Sequence, residues 1–165
     1  MSAQTRYGYS TPMGAAGGIV DLAPYAIDSF INEEEAGVMK FGIGVVDGTK
    51  AGTTIKKPAE GATAAQFAGI TVNNRTTEYD IEGKLHVRKG VSVGVMRYGR
   101  VYGRVADGIT PAYGEALYLI VSGEEAGFFT NASGDNTVAV KGRFMSGKDT
   151  TANIAMVELF NQAQA

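Results

Sequence analysis

The stretch Val91 to Val105, VSVGVMRYGRVYGRV, constrains the fold more than any other part of the chain. Val91, Val93, Val95, Val101 and Val105 share one parity, while Ser92, Arg100, Tyr102 and Arg104 share the other. A period of two over such a span describes a half-buried strand, because successive side chains of extended backbone point to opposite faces. Gly99 sits inside it, where a kink or turn is expected.

The same grammar runs through the chain from Val38 onward. VMKFGIGVV reads as a strand ended by DGTKAGT, in which Asp47, Gly48 and Gly52 supply positive-φ turn positions. TIKKP follows and stops at Pro58, and AEGATAAQ has room for one helical turn. QFAGITVNN is a strand closing in Asn73 and Asn74. Phe67 and Val72 in it have opposite parity, so it bends at Gly69 or is covered on both sides. RTTEYD beyond it reads as a surface loop. KLHVRKG, EALYLIV, GFFTN, TVAVKGRFMSG and NIAMVELF add strands, separated by SGEEAG, ASGDN and GKDTTA. Glycine, at 23 of 165 residues, is about twice its usual share and has no collagen period, so it signals tight turns. Eight to eleven short strands at this spacing specify an all-β fold, a compact β-barrel or β-sandwich of short antiparallel strands. No exact internal repeat is present.

Residues 1–36 differ from the body, residues 37–165. MSAQTRYGYSTPMGAAGG is small, polar and aperiodic and reads as an extended N-terminal arm. IVDLAPYAIDSFINEEEAG carries scattered apolar anchors: Ile19, Leu22, Tyr25, Ile27, Phe30 and Ile31. Pro24 interrupts any earlier helix. A short helix over 25–35 would place Glu33–Glu35 at its unfavourable C-terminus. An arm dotted with anchors but unable to form a core lies on something else, its own body or a neighbour.

Chemistry is sparse. With no cysteine, disulfides, thiolate metal sites and thiol catalysis are excluded. The single histidine, His86, shares a face with Lys84 and Arg88 and reads as a solvent-facing strand residue without an acid or nucleophile partner. The carboxylates of INEEEAG, EYDIEG and GEEAG adjoin glycine turns and read as solvated loop charge, not a catalytic pair. ASGDNT lacks the spaced acids of a calcium loop. Gly42 and Gly44 lack the third glycine and following helix of a dinucleotide site. No cofactor, metal or catalytic residue is expected. A net charge of −2 with dispersed Lys and Arg leaves no footprint for nucleic acid or an anionic membrane. The N-terminus has no signal-peptide pattern, and no apolar run reaches membrane-spanning length. Arg100, Tyr102 and Arg104 on one strand face suit a protein contact, since Tyr and Arg are enriched at interface hot spots.

Several segments together resemble the capsid cement (decoration) proteins of tailed bacteriophages. They are GGIVDLAPYAIDSFINEE, VMKFGIGVVDG, QFAGITV, KGVSVGVMRYGRVYGRV and KGRFMSGKDTTANIAMVELF, in the family's order from about Gly17 to Phe160. The resemblance implies a β-rich, non-enzymatic protein of the virion, made in the host cytoplasm and seated on the outer capsid surface. There it would bridge and stabilise copies of the major capsid protein against internal DNA pressure. It also implies a homo-oligomer, for which a trimer is favoured over a dimer. Contact candidates come from the residues themselves: Ile19, Leu22, Tyr25, Ile27, Phe30 and Ile31 on the arm, with Arg100, Tyr102 and Arg104 on the strand. The alternative is a carbohydrate- or surface-binding β-sandwich module. It would have to stack sugars on Tyr7, Tyr9, Tyr98, Tyr102 and Tyr113, since Trp is absent. A hydrolase is disfavoured by the missing nucleophile–base set.

Overall fold

The computed structural model of the chain describes residues 14–73, 78–79 and 85–161. Among them are eleven strands: β1 (Ala26–Asn32), β2 (Gly44–Asp47), β3 (Thr54–Lys56), β4 (Phe67–Thr71), β5 (Glu78–Tyr79), β6 (Leu85–His86), β7 (Ser92–Arg104), β8 (Ala116–Ile120), β9 (Phe129–Thr130), β10 (Thr137–Phe144) and β11 (Ile154–Leu159). The only helical element among the described residues is a 3-10 turn, Ala64–Gln66, at the expected place. The all-β expectation holds.

Nine strands form one sheet in the order β1-β3-β2-β4-β7-β11-β10-β8-β9, and β1 also pairs with β7. That extra pairing closes the first five strands into a barrel. The remaining strands curl back in turn: Val105, just past β7, bridges Phe129 of β9. The Ala106 amide donates to the Phe129 carbonyl at 2.9 Å. Between the named strands pairing is antiparallel except for β1 with β3, and the Val105–Phe129 bridge is also parallel. β5 and β6 form a separate two-stranded ribbon.

β7 belongs to both halves, and its even-looking pattern conceals a change of face. Val93 and Val95 enter one core, with Phe30, Phe41 and Ile55. Met96, Val101 and Val105 enter the other, with Phe129, Phe144 and Val157. Parity should forbid Val95 and Val101 from serving different cores. The β1 register resolves this, because Ala26 faces Tyr98 while the next residue, Ile27, faces Met96. One extra residue makes a bulge, and every later side chain moves to the opposite side. The expected kink near Gly99 is this bulge.

β4 does the same one strand away. Val45 faces Gly69 and Val46 faces Phe67, so Ala68 is the extra residue. Phe67, Ile70 and Val72 then share one core despite their parity, and Ala68 joins the other. The strand is both bent and covered on both sides. Gly69 has φ +145°, and a side-chain carbon there would run into the Met96 carbonyl oxygen of β7. Only glycine suits that point.

Several expectations fail in instructive ways. Within residues 25–35, where the acidic run already disfavours a helix, the chain forms β1 (Ala26–Asn32), whose pairing with β3 and β7 buries Phe30 and Asn32. The segment set apart as arm therefore supplies a body strand in its second half. Residues 38–43 are irregular backbone ahead of a shorter β2, with Met39 and residues 41–43 buried and Val38 and Lys40 exposed. Gly48 is not a positive-φ turn residue. A side-chain carbon there would lie 2.5 Å from Thr54 Oγ1 and 2.7 Å from the Glu33 carboxylate, so both side chains would have to shift. Asn73 is not left-handed either; its amide donates to the Gly17 carbonyl at 2.8 Å. Glu78 and Tyr79, expected in a loop, pair with β6. Arg75 to Thr77, Asp80 and the His86 side chain lie outside the described residues.

Candidate functional site

Ahead of β1, residues 14–25 lie along β7 beyond the point where β1 begins. The Gly17 amide donates to the Tyr102 carbonyl at 2.8 Å, Tyr102 returns a bond to Gly18 at 2.9 Å, and Val20 donates to Arg100 at 3.1 Å. Ile19 bridges Val101. Small residues are needed there, since a side-chain carbon at Gly14 would come 2.5 Å from the Tyr102 ring. The glycine-rich sequence that reads as an aperiodic arm is thus shaped to a tyrosine on the body.

The outer face beside this segment carries a row of four charges. Asp21 Oδ2 meets Arg100 Nη1 at 2.8 Å. Arg100 Nε meets Glu158 Oε1 at 3.0 Å, and Arg143 Nη2 meets Glu158 Oε2 at 2.7 Å. Strand register sets this order, because Arg100 faces Glu158 across β7 and β11, and Glu158 faces Arg143 across β11 and β10. The Arg100 guanidinium, then the Ala23 amide, hold the Asp21 carboxyl below its usual range. Burial pushes Glu158 up, but hydrogen bonds from Arg100 and Arg143 more than offset that and leave it lowered.

Apolar side chains flank both ends of the row. At one end stand Leu22, 94% exposed, and Tyr25, packed over Gly99, with exposed Tyr98 next along β7. At the other, the Arg143 guanidinium lies 5.6 Å from the ring centre of Tyr113 and 5.8 Å from that of Phe160. Tyr113 is 66% exposed.

The expected contact residues divide accordingly. Ile19, Leu22, Tyr25 and Ile31 are exposed. Phe30 is buried in the barrel core, and Ile27 is half-buried against the other core, so both are spent on packing. Arg100, Tyr102 and Arg104 share a face as expected, but each is engaged within the chain. Arg100 holds Asp21 and Glu158, Tyr102 carries the glycines, and Arg104 Nε donates to the Phe41 carbonyl at 2.8 Å. Burial lowers the Arg104 proton affinity. Sequence reasoning did not single out Asp21, Arg143, Glu158 or Phe160. The parity match of Arg143 and Glu158 on neighbouring strands was the available signal.

The acidic run after β1 also has structural work. The Glu33 carboxylate accepts the Thr49 amide at 2.9 Å, and Glu34 accepts the Lys57 amide at 2.9 Å. These are turn-tying contacts rather than free loop charge. Among the described residues no group of three or more His, Asp or Glu is placed to hold a metal ion. A groove of about 610 Å³ between β1, the 3-10 turn and β10 contains Ser29 and the Asp28–Arg97 pair but no histidine in its lining. It therefore holds no Ser-His-Asp arrangement.

The family model for structural cement proteins (E217 gp24/Pam3 gp6) matches residues 3–160. Among solved structures, the chain is similar to one from the capsid of Myoviridae phage XM1, with a TM-score of 0.71 and 22% identity. That match covers 98% of this chain and 99% of the other, and establishes a shared fold. No curated protein matches the chain. Nothing in these matches or in the geometry supports the carbohydrate-binding alternative.

Proposed function

Because the chain belongs to the phage structural cement protein family, we propose that it binds the outer surface of the assembled shell and bridges neighbouring copies of the major capsid protein. The family match over residues 3–160 carries this reading; a structural cement role in the capsid, and a place in the virion, follow from it. A protein that binds across subunit joints stabilises only the assembled form. The gain is about 2.7 kcal/mol per site when the free protein is at a hundred times its dissociation constant. Repeated over the shell, a modest contact suffices against DNA pressure. Synthesis in the host cytoplasm and a non-enzymatic role belong to the same proposal. So does self-association, in which sequence reasoning favours three copies over two.

Ile19, Leu22, Tyr25 and Ile31 are the expected contact residues that remain at the surface. The test is co-sedimentation of the purified chain with shells assembled from the major capsid protein. Saturable binding to shells, with none to unassembled subunits, is expected. Equal binding to both, or none to shells, overturns the bridging role. Deleting residues 1–35 is the wrong test for an arm contact, because it removes β1 and opens the barrel. Leu22→Ala with Ile31→Asp keeps β1 and is expected to weaken shell binding, whereas unchanged binding contradicts the assignment.

A further inference from the structure

We propose that the groove between β1, the 3-10 turn and β10 takes an extended segment of the shell protein, which adds to the open edge of β1 as a further strand. β1 has seven residues and pairs with β7 over six of them, but β3 covers only Ile31 and Asn32 on its other edge. Hydrogen-bond alternation fixes which main-chain groups are left over. The Asn32 amide donates to the Val91 carbonyl at 3.0 Å, and the Asn32 carbonyl accepts the Gly90 amide at 2.7 Å. Phe30 and Asp28 therefore bond to β7 as well, while Ile27, Ser29 and Ile31 turn their amides and carbonyls away from it. Ile31 verifies the phase, because its amide donates to the Thr53 carbonyl at 3.0 Å. Ser29 is exposed, lines the groove, and finds no main-chain partner on that edge among the described residues.

The β10 wall repeats the arrangement. The Val121 amide donates to the Asn136 carbonyl at 2.9 Å, so Val138 and Val140 bond to β8 and Ala139 turns outward. On that side β11 reaches β10 only as far as Lys141, whose carbonyl accepts the Phe160 amide at 2.9 Å. Ala139 is exposed and lines the groove. The rest of the lining includes Ala64 and Ala65 of the 3-10 turn and the edge of buried Phe67. Asp28 and Arg97 neutralise one another at 3.1 Å. Such a surface offers main-chain donors and acceptors with room for small apolar side chains. An uncovered strand edge is a template for another chain, and strand addition recognises an extended peptide by main-chain bonds, with pockets for alternate side chains. The chemistry of the groove specifies an extended chain; that the chain comes from the shell protein rests on the cement reading above.

Hydrogen exchange of the purified chain, free and bound to shells assembled from the major capsid protein, tests this without mutation. The Ser29 amide is expected to exchange fast in the free chain and at least tenfold more slowly on shells. Shell binding that leaves Ser29 exchange unchanged overturns the strand addition and leaves the cement reading standing. Failure to bind shells overturns both. A Ser29 amide already slow in the free chain shows the edge covered by this chain itself and also overturns the proposal. Ser29→Pro removes the outward amide and spares the β1–β7 bonds, as proline does on an edge strand. It is expected to raise the dissociation constant for shells at least tenfold with an unchanged circular dichroism spectrum. Ala65→Trp, which fills the groove from an exposed position on the 3-10 turn, is expected to do the same. Full-strength shell binding by Ala65→Trp contradicts the inference, even where Ser29→Pro fails to fold.

Discussion

The two halves of the sheet close in different ways. The first barrel is sealed by backbone: β1 meets β7 through six paired residues, Ala26 with Tyr98 to Ile31 with Ser92. The second half returns to β7 through the single Val105–Phe129 bridge, and depends on side chains gathered around Phe129, Phe144, Leu117 and Leu119. A ladder distributes its energy over many hydrogen bonds, whereas a bridge over a packed ring concentrates it in a few contacts. The half closed by packing is also the half whose outer strands carry the charge row and the exposed Tyr113 and Phe160. Shape is thus held by a backbone ladder in one half and by side-chain packing in the other, with β7 common to both.

The sharpest way to break this contrast is Phe129→Ala. The ring is fully buried where the second half closes. Its loss is expected to cost about 3–5 kcal/mol, read as a fall in the urea or thermal midpoint. A cost under about 1 kcal/mol would mean that the bridge does not depend on packing. Next in size is Gly69→Ala, which forces an alanine into φ +145° against the Met96 carbonyl. It is expected to cost about 1–3 kcal/mol from backbone strain alone, and a neutral result would contradict the bulge. Hydrogen exchange compares the closures without mutation. The Ala106 amide, bonded to Phe129, should exchange faster than the Asn32 amide, bonded to Val91 across the β1–β7 ladder.

Acid tests the charge row. The Asp21 and Glu158 carboxyls titrate below their ordinary values in the folded chain. Their contribution is therefore present above the unfolded values, near pH 4, and is lost as pH falls through the lower folded values. The midpoint should hold steady down to about pH 5 and then drop. Arg100→Ala, which removes Asp21's partner and one of the two partners of Glu158, should lessen that drop. The smallest effect belongs to Lys89→Ala: its pair with Glu35 spans 2.7 Å but both side chains are largely in water. Solvent-screened pairs of this kind contribute little, and no measurable change in midpoint is expected.

How much of this was legible in the sequence depends on the residue. The period of two across Val91–Val105 revealed a strand, and the glycine-rich breaks gave the all-β class. Neither could show that Val95 and Val101 serve different cores, because a bulge is a property of register with β1 and leaves the parity of the sequence untouched. Phe67 against Val72 was the one place where broken parity exposed a bulge directly. Tyr102 was legible as an aromatic on an outer face, but its partners lie more than eighty residues earlier, at Gly14 and Gly18. Arg100 misled for a similar reason. Its acids, Asp21 and Glu158, arrive from opposite ends of the chain. The resemblance carried the function, since no catalytic pattern existed to be read.

The central claim, that this chain is a cement acting on assembled shells, is tested most directly by heating phage particles depleted of it, with and without the purified chain added back. Release of packaged DNA, followed by dye binding, should shift to higher temperature as the chain is added and level off at saturation. A release temperature that does not move at saturating occupancy would contradict the account.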